Sequence, residues 1–167
     1  QVDKLTIKIE ASHSGIINGN RFFYTPGGMK AGAKSFTTPY NKPVLAHHDS
    51  HSDPIGRVIT AKYIDYKIEH GITDSKKPTD VVDLVSDFIK TKSFKAKDYK
   101  GLGHVELTAE ITDAAAVDKV LDGRYLTVSI GAGIDSAACS ICGEDQKQMS
   151  YDNHCGHFRG ETYDGVD

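Results

Sequence analysis

The sequence contains no tryptophan, only three cysteines and no excess of positive charge. Its formal net charge is −3, whereas proteins that bind nucleic acid through phosphates carry clustered lysine and arginine in clear excess. It also lacks a continuous apolar run of about 20 residues, the length of a membrane-spanning helix. The composition therefore favours a water-soluble protein whose partners are neither nucleic acid nor membrane.

The amino terminus has no methionine, no basic stretch and no apolar stretch, so it does not look like a secretory signal peptide. We interpret the sequence as a processed product or a fragment, and we expect a cytoplasmic setting. Its 167 residues are enough for one domain with a core of its own.

Alternating or β-branched apolar residues predict a set of strands. They cover residues 5–10, 44–46, 55–63, 103–112 and 125–134. The last segment is predicted to be a buried strand interrupted by one serine and two glycines. Residues 18–43 are rich in proline and glycine, and predict a connecting loop with one helical turn near 29–36.

Apolar residues at helical spacing predict two longer helices. The first covers residues 80–90. The second follows Asp113, a typical N-cap residue, and ends before Gly123, a typical residue after a helix end. We therefore predict an α+β fold with a mostly antiparallel, barrel-like β-sheet and flanking helices.

The three cysteines, Cys139, Cys142 and Cys155, lie close together, and His157 follows the last of them. An odd number of cysteines in so short a stretch fits a disulfide framework poorly. Zinc takes four nitrogen or sulfur ligands in a tetrahedron, and a CxxC turn supplies two of them. The pattern predicts a structural zinc site in a C-terminal zinc-knuckle insert, with His154 as a reserve ligand. The alternative is three free thiols in a flexible loop.

Three histidines, His47, His48 and His51, crowd a polar turn between two predicted strands. Histidine titrates near neutrality and serves as a general base or a metal ligand. The strand that begins at Ile55 would give this turn a rigid support from which an imidazole is aimed at a partner. The alternative is a solvated loop that happens to hold three histidines.

Ser129 is the candidate partner, because its hydroxyl stands among apolar neighbours in the segment LTVSIGAG. A buried hydroxyl needs a hydrogen-bond partner, and a histidine would both satisfy and activate it. Gly131 and Gly133 would leave room for a substrate backbone. The alternative is a small residue packed in a sheet and bonded to a backbone carbonyl.

Three sequence blocks together resemble one protein family. They are NGNRFFYTP at 18–26, KPVLAHHDSHSDPIGRV at 42–58 and LDGRYLTVSIGAG at 121–133. The three blocks occur in the order and approximate spacing found in the prohead (capsid maturation) serine proteases of tailed phages, which the chain therefore resembles. These proteases are related in fold to the herpesvirus assemblins. The resemblance spans residues 5–135 approximately.

This resemblance implies a serine endopeptidase. The family's catalytic base is a histidine followed by aspartate, which corresponds to His48, and its nucleophile corresponds to Ser129. Ser129 would attack the scissile carbonyl, while His48 takes the serine proton and returns it to the leaving amine. The third triad member stays unassigned, with Asp49 and Glu106 as candidates. The family carries further strands after the serine block, which leaves open whether the last strand and the third residue belong to this sequence.

The resemblance also implies substrates and a place of action. Members of the family cleave the scaffold protein, the major capsid protein and themselves inside the prohead, in the host cytoplasm. The protease domain would cover residues 1–135 and the zinc-binding segment residues 136–167. Structural zinc is the only cofactor expected.

Two other functions remain as alternatives. A metal-dependent hydrolase would bind a catalytic ion through His47, His48 and His51, together with Asp49. A non-enzymatic, zinc-bearing capsid assembly module would only bind partners. The first predicts that chelation stops activity, and the second predicts that no serine-directed reagent acylates the chain.

Overall fold

The computed structural model describes residues 4–66, 101–148 and 155–163. These residues form two compact units. The first, which we call the sheet unit, contains residues 4–16, 24–66 and 101–131. The second, the Cys/His unit, contains residues 17–23, 132–148 and 155–163. The helix predicted over residues 80–90 lies outside the described residues.

The sheet unit is built on four antiparallel strands. They are β1 (Leu5–Ser14), β2 (Pro43–Val44), β3 (Gly56–Asp65) and β4 (Gly103–Ile111), in the spatial order β1-β4-β3-β2. The sheet curls into a half-barrel. Two helices accompany it among the described residues, α1 (Pro26–Gly32) and α2 (Ala114–Leu121). The predicted α+β class with an antiparallel, curled sheet is therefore confirmed.

Strand β4 lies between β1 and β3, and its side chains alternate between two faces. One face is apolar and buried, with Val105, Leu107 and Ile111 each at most 5% exposed. The other face carries Glu106 and Glu110, which are only partly buried. The alternation predicted from the sequence therefore matches the two faces of the central strand.

Both helices help to cover the apolar face. Residues of α1 and of the short 3-10 helix Ala33–Phe36 pack in one cluster with Val105 and Leu107. Helix α2 contributes Val117, which packs with Ile111 in a second cluster. Each of these fully buried side chains stabilises the fold by about 1.5–3 kcal/mol relative to an exposed position.

Helix α2 begins and ends as its sequence predicts. The Asp113 carboxylate accepts a hydrogen bond from the Ala116 N–H at 2.7 Å, which is a typical N-cap contact. Gly123 has a φ of +80°, and this left-handed conformation favours glycine just after a helix end. Helix α1 begins in a similar way, with the Thr25 hydroxyl accepting from the Gly28 N–H at 3.2 Å.

The buried strand predicted over residues 125–134 is wrong, because this segment is irregular. Its apolar side chains point largely to solvent, with Leu126 81% and Val128 51% exposed. A strand needs a partner for its backbone hydrogen bonds, and no segment among the described residues pairs with this one. An apolar, branched composition alone was not enough to predict a strand here.

The α-helices that the structure describes are at most eight residues long. In residues 4–66, 101–148 and 155–163, none combines the length and the apolar character that crossing a membrane requires.

Candidate functional site

The turn that carries His48 is anchored to the sheet on both sides. Val44 pairs with Gly56 across β2 and β3, and the Ile55 N–H donates to the Val44 carbonyl at 2.9 Å. A Cβ at position 56 would collide with the carbonyl oxygen of Glu110, so glycine is required there. The pairing of Val44 with Gly56 therefore fixes both ends of the histidine turn.

The backbone of His47 and His48 adopts an uncommon conformation. Both residues have a φ of +55° within the short 3-10 helix Ala46–His48. A left-handed conformation costs a non-glycine residue on the order of 1–3 kcal/mol, and such residues cluster at functional sites. Both side chains are exposed. The turn therefore presents two imidazoles to solvent from a constrained backbone.

Asp49 stabilises the turn through its own neighbours. Its carboxylate accepts hydrogen bonds from the Ser52 hydroxyl and from the His51 backbone N–H, the latter at 2.9 Å. The bond from the Ser52 hydroxyl is the main reason that the pKa of Asp49 lies below its usual value. Within the described residues, no hydrogen bond joins this carboxylate to His48.

Ser129 lies in the irregular segment that follows α2, and it is exposed. The histidine turn meets the beginning of this segment at Tyr125, whose ring contacts the His47 ring edge to face with 6.4 Å between centroids. The Tyr125 N–H donates to the Lys119 carbonyl at 2.9 Å, which ties the tyrosine to α2. In the part of the chain that the structure describes, no hydrogen bond joins His48 to Ser129.

The chain around Ser129 is open. A Cβ placed on Gly131 or on Gly133 would have no other atom within 4 Å. Both glycines therefore lie in open space. Ser129 itself is not the buried hydroxyl that the sequence predicted, because its segment is not part of the sheet.

Glu106, the second candidate for a third triad member, lies on the polar face of β4. Its carboxylate is 3.0 Å from the Lys62 ammonium and 4.0 Å from that of Lys8. The hydrogen bond from Lys62 is the main reason that the pKa of Glu106 lies below its usual value. The carboxylate is thus paired with lysines across neighbouring strands.

The predicted zinc ligands converge in the Cys/His unit. They are Cys139, Cys142, Cys155 and His157, and their ligand atoms all lie within 4.8 Å of one another. For tetrahedral Zn–S bonds of about 2.3 Å, two sulfur ligands would be about 3.8 Å apart. The four side chains therefore lie close enough together to bind a metal ion. His154 lies outside the described residues.

The loop around Cys139 has the hydrogen bonds of a metal-binding knuckle. The Ile141 N–H points to the Cys139 sulfur at 3.4 Å, and the Gly143 N–H donates to the Cys139 carbonyl at 2.9 Å. Gly143 has a φ of +79°, which allows this tight reversal. The CxxC-Gly sequence therefore gathers both thiols on one side of a single turn.

Polar neighbours favour a thiolate at Cys155. The His157 backbone N–H is the main cause that lowers the pKa of Cys155 to about 6, and the Gln146 amide adds to it. That amide donates to the Cys155 sulfur at 3.6 Å. A thiolate is the form that binds zinc, so these donors support the ligand role of Cys155.

Converging metal ligands are not found in the histidine turn. Two groups of at least three such ligands occur among the described residues, and neither contains His47, His48 or His51. His51 instead lies beside Asp49, with 3.6 Å between Nδ1 and Oδ1. The geometry of the turn does not favour the metal-dependent hydrolase alternative.

Two residues with contacts at these sites were not predicted from the sequence. The sequence pattern predicts Tyr125 only as a strand residue, although its ring contacts that of His47. Gln146 belongs to the polar stretch between the cysteines, where nothing local distinguishes it from its neighbours.

No protein-family model, curated protein or solved structure matches this chain. Its function is therefore inferred from its own residues and their geometry.

Proposed function

We propose that the chain is a serine endopeptidase of the prohead maturation type, with Ser129 as nucleophile and His48 as general base. The observation that carries the proposal is the contact between the histidine turn and Tyr125, four residues before Ser129. This contact joins one residue from each of the two sequence blocks to which the resemblance assigns the catalytic pair, and it supports the proposal. The constrained backbone at His48 and the open space at Gly131 add support.

The reaction follows from these two side chains. As the Ser129 oxygen attacks the scissile carbonyl, its proton passes to a ring nitrogen of His48. His48 then donates this proton to the leaving amine, and the acyl group on Ser129 is released by water. Asp49 and Glu106 stay the two candidates for the third member, and the Asp49 carboxylate accepts hydrogen bonds from Ser52 and His51. Glu106 is already paired with lysines on the sheet surface.

The substrates proposed are the scaffold protein, the major capsid protein and the protease itself, inside the prohead. The exposed position of both catalytic residues suits extended protein segments, because neither lies at the bottom of a narrow pocket. We propose no role for nucleic acid or membrane, in keeping with the net charge of −3.

We further propose that Cys139, Cys142, Cys155 and His157 bind one structural zinc ion. Three sulfur donors and one nitrogen donor are a common set for structural zinc. Four protein ligands complete the tetrahedron, so no position remains for a substrate or an activated water. The zinc would hold the Cys/His unit together and would take no part in peptide cleavage.

Co-expression with the scaffold protein tests the protease assignment. Ser129→Ala and His48→Ala should each abolish cleavage, measured by the masses of the products. Ser136→Ala and His51→Ala are matched controls, since each removes an exposed residue of the same type nearby, and cleavage should persist in both. Continued cleavage by the Ser129→Ala variant would show that the nucleophile is wrong. Labelling by a fluorophosphonate should disappear in the same variant, whereas an assembly module would never be labelled.

A further inference from the structure

A second group of metal ligands lies on the sheet unit, at the end of β1 and the beginning of β4. It consists of Glu10, His13 and His104, and their ligand atoms lie within 4.8 Å of one another. The His13 Nε2 is 3.4 Å from a Glu10 carboxylate oxygen, and the rings of His13 and His104 have centroids 5.6 Å apart. None of the three belongs to the catalytic or zinc sites proposed above.

A β-bulge brings these side chains to one face of the sheet. Residues three apart on a regular strand point to opposite faces, so Glu10 and His13 would normally diverge. The register between β1 and β4 shifts after Glu10, which pairs with Glu106, so that His13 pairs with His104. The extra residue, Ala11, therefore turns His13 to the face that Glu10 already occupies. Bulges often re-aim a side chain in this way at functional sites.

His104 is the buried member of the group. It is 5% exposed, and its Nε2 atom has no hydrogen-bond partner although it is fully enclosed. Its other ring nitrogen, Nδ1, is hydrogen-bonded to the Tyr66 hydroxyl. Leaving a buried polar atom unpaired is energetically unfavourable, so a ligand at this nitrogen would stabilise the folded chain. A metal ion bound by the Nε2 lone pair would remove this cost, while the Tyr66 hydroxyl orients the ring.

We propose that Glu10, His13 and His104 form a binding site for a divalent transition-metal ion, with zinc as the best match. Two imidazoles and one carboxylate are the ligand set of many three-ligand zinc sites, which leave the fourth position to water or another ligand. This second site therefore differs from the Cys/His site in having an open position.

The geometry allows the site to close on an ion. Zinc bonds of about 2.0–2.2 Å to nitrogen and oxygen place ligands roughly 3.4 Å apart in a tetrahedron. Ligand atoms that lie within 4.8 Å of one another can reach this spacing with at most a small inward movement. Glu10 and His13 can supply it, since their side chains are 63% and 31% exposed, whereas His104 is held by its surroundings. The exposed Glu10 and the partly exposed His13 also give the ion a path from solvent.

Metal titration of the full chain tests this site. Co²⁺ is the probe, because cobalt bound to thiolates gives an intense charge-transfer absorption that cobalt bound to nitrogen and oxygen lacks. We expect one ion with thiolate absorption and a second without it. Glu10→Gln and His13→Gln should remove only the second ion. Loss of an outer-shell partner already weakens metal binding about 10- to 100-fold, so loss of a direct ligand should weaken it by at least about 100-fold.

Two control variants separate this site from other surface groups. Glu110→Gln removes another carboxylate from the same polar face of β4, where it pairs with Lys4 at 2.8 Å. His51→Gln removes an exposed histidine of the histidine turn. Both should keep the second ion. Absence of any ion without thiolate absorption in the wild type, or its persistence in Glu10→Gln and His13→Gln, would overturn the proposal. The thiolate absorption reports separately on the Cys/His site.

Discussion

The sheet unit and the Cys/His unit are stabilised by different means. The sheet unit has two clusters of buried apolar side chains, centred on Leu107 and Ile111. In the described residues of the Cys/His unit, Cys139 is the only buried side chain. The first unit can therefore fold by removing apolar surface from water, whereas the second has too little to bury. Its order must come from local hydrogen bonds and from the convergence of its ligands.

The backbone hydrogen bonds around Cys139 are short-range. The Cys139 N–H donates to the Glu144 carbonyl at 2.9 Å, and the Gln146 N–H donates to the Ala137 carbonyl at 2.7 Å. The Asp145 carboxylate accepts from the Ala137 N–H, and this bond is the main reason that its pKa lies below its usual value. Such turns define a local shape, but a metal ion would supply most of the folding free energy.

The largest predicted effect is therefore metal removal. Chelation should remove on the order of 10 kcal/mol of binding free energy from the Cys/His unit, since binding and folding are coupled there. Amide hydrogen exchange should become fast at Cys139 to Gly143, while the amides of β4 stay protected. Cys142→Ser should reproduce the effect, and Ser136→Ala should not. Unchanged exchange at Cys139 after chelation would mean that this unit is ordered without metal.

A substitution in the apolar core should destabilise the sheet unit and leave the Cys/His unit unaffected. Ile111→Ala removes a side chain that is 1% exposed, and truncations of this kind cost about 2–5 kcal/mol. Denaturant unfolding, monitored through the signal of the β-sheet, should show this loss of unfolding free energy. The metal content of the Cys/His unit should stay unchanged. Ile59→Ala is the control, because Ile59 is 44% exposed and its loss should cost less than about 1 kcal/mol. Equal effects of the two variants would contradict the assigned core.

Local rules predicted most of the sheet unit. Alternation was sufficient for β1 and β4, and β-branched residues predicted β3. Asp113 and Gly123 marked the ends of α2, since capping depends only on adjacent backbone groups. The bulges at Ala11 and Ile59 were not predictable, because a bulge is defined by the register with another strand.

The candidate sites also differ in whether nearby residues are enough to predict them. The Cys/His ligands were predicted because Cys139, Cys142 and His157 are close in the sequence, and a turn suffices to gather two of them. The position of Ser129 was not predicted correctly, because a strand needs a pairing partner that the residues of the strand itself do not specify. The group around His104 was missed, since His104 is distant in sequence from Glu10 and His13. The register of β1 against β4 joins them.

The smallest predicted effect concerns a polar group inside the sheet unit. Tyr63 and Ser14 share a hydrogen bond of 2.7 Å between their hydroxyls, and Ser14 is fully buried. Tyr63→Phe removes this bond while Ser14 still donates to the Gly103 carbonyl at 3.3 Å. The expected loss is about 1 kcal/mol in the free energy of unfolding at neutral pH, measured by denaturant titration.

The same variant should change stability at alkaline pH. Burial raises the pKa of Tyr63 above its usual value of 10.0, so the folded state holds the phenol proton more tightly than the unfolded state. The stabilisation from this proton is complete below pH 10 and is lost as pH rises through the higher folded pKa. Tyr63→Phe should therefore flatten the alkaline fall in stability. Tyr40→Phe should leave it unchanged, because Tyr40 is 60% exposed. An equal slope in both variants would show that Tyr63 titrates as a solvent-exposed phenol and is no part of the buried sheet surface.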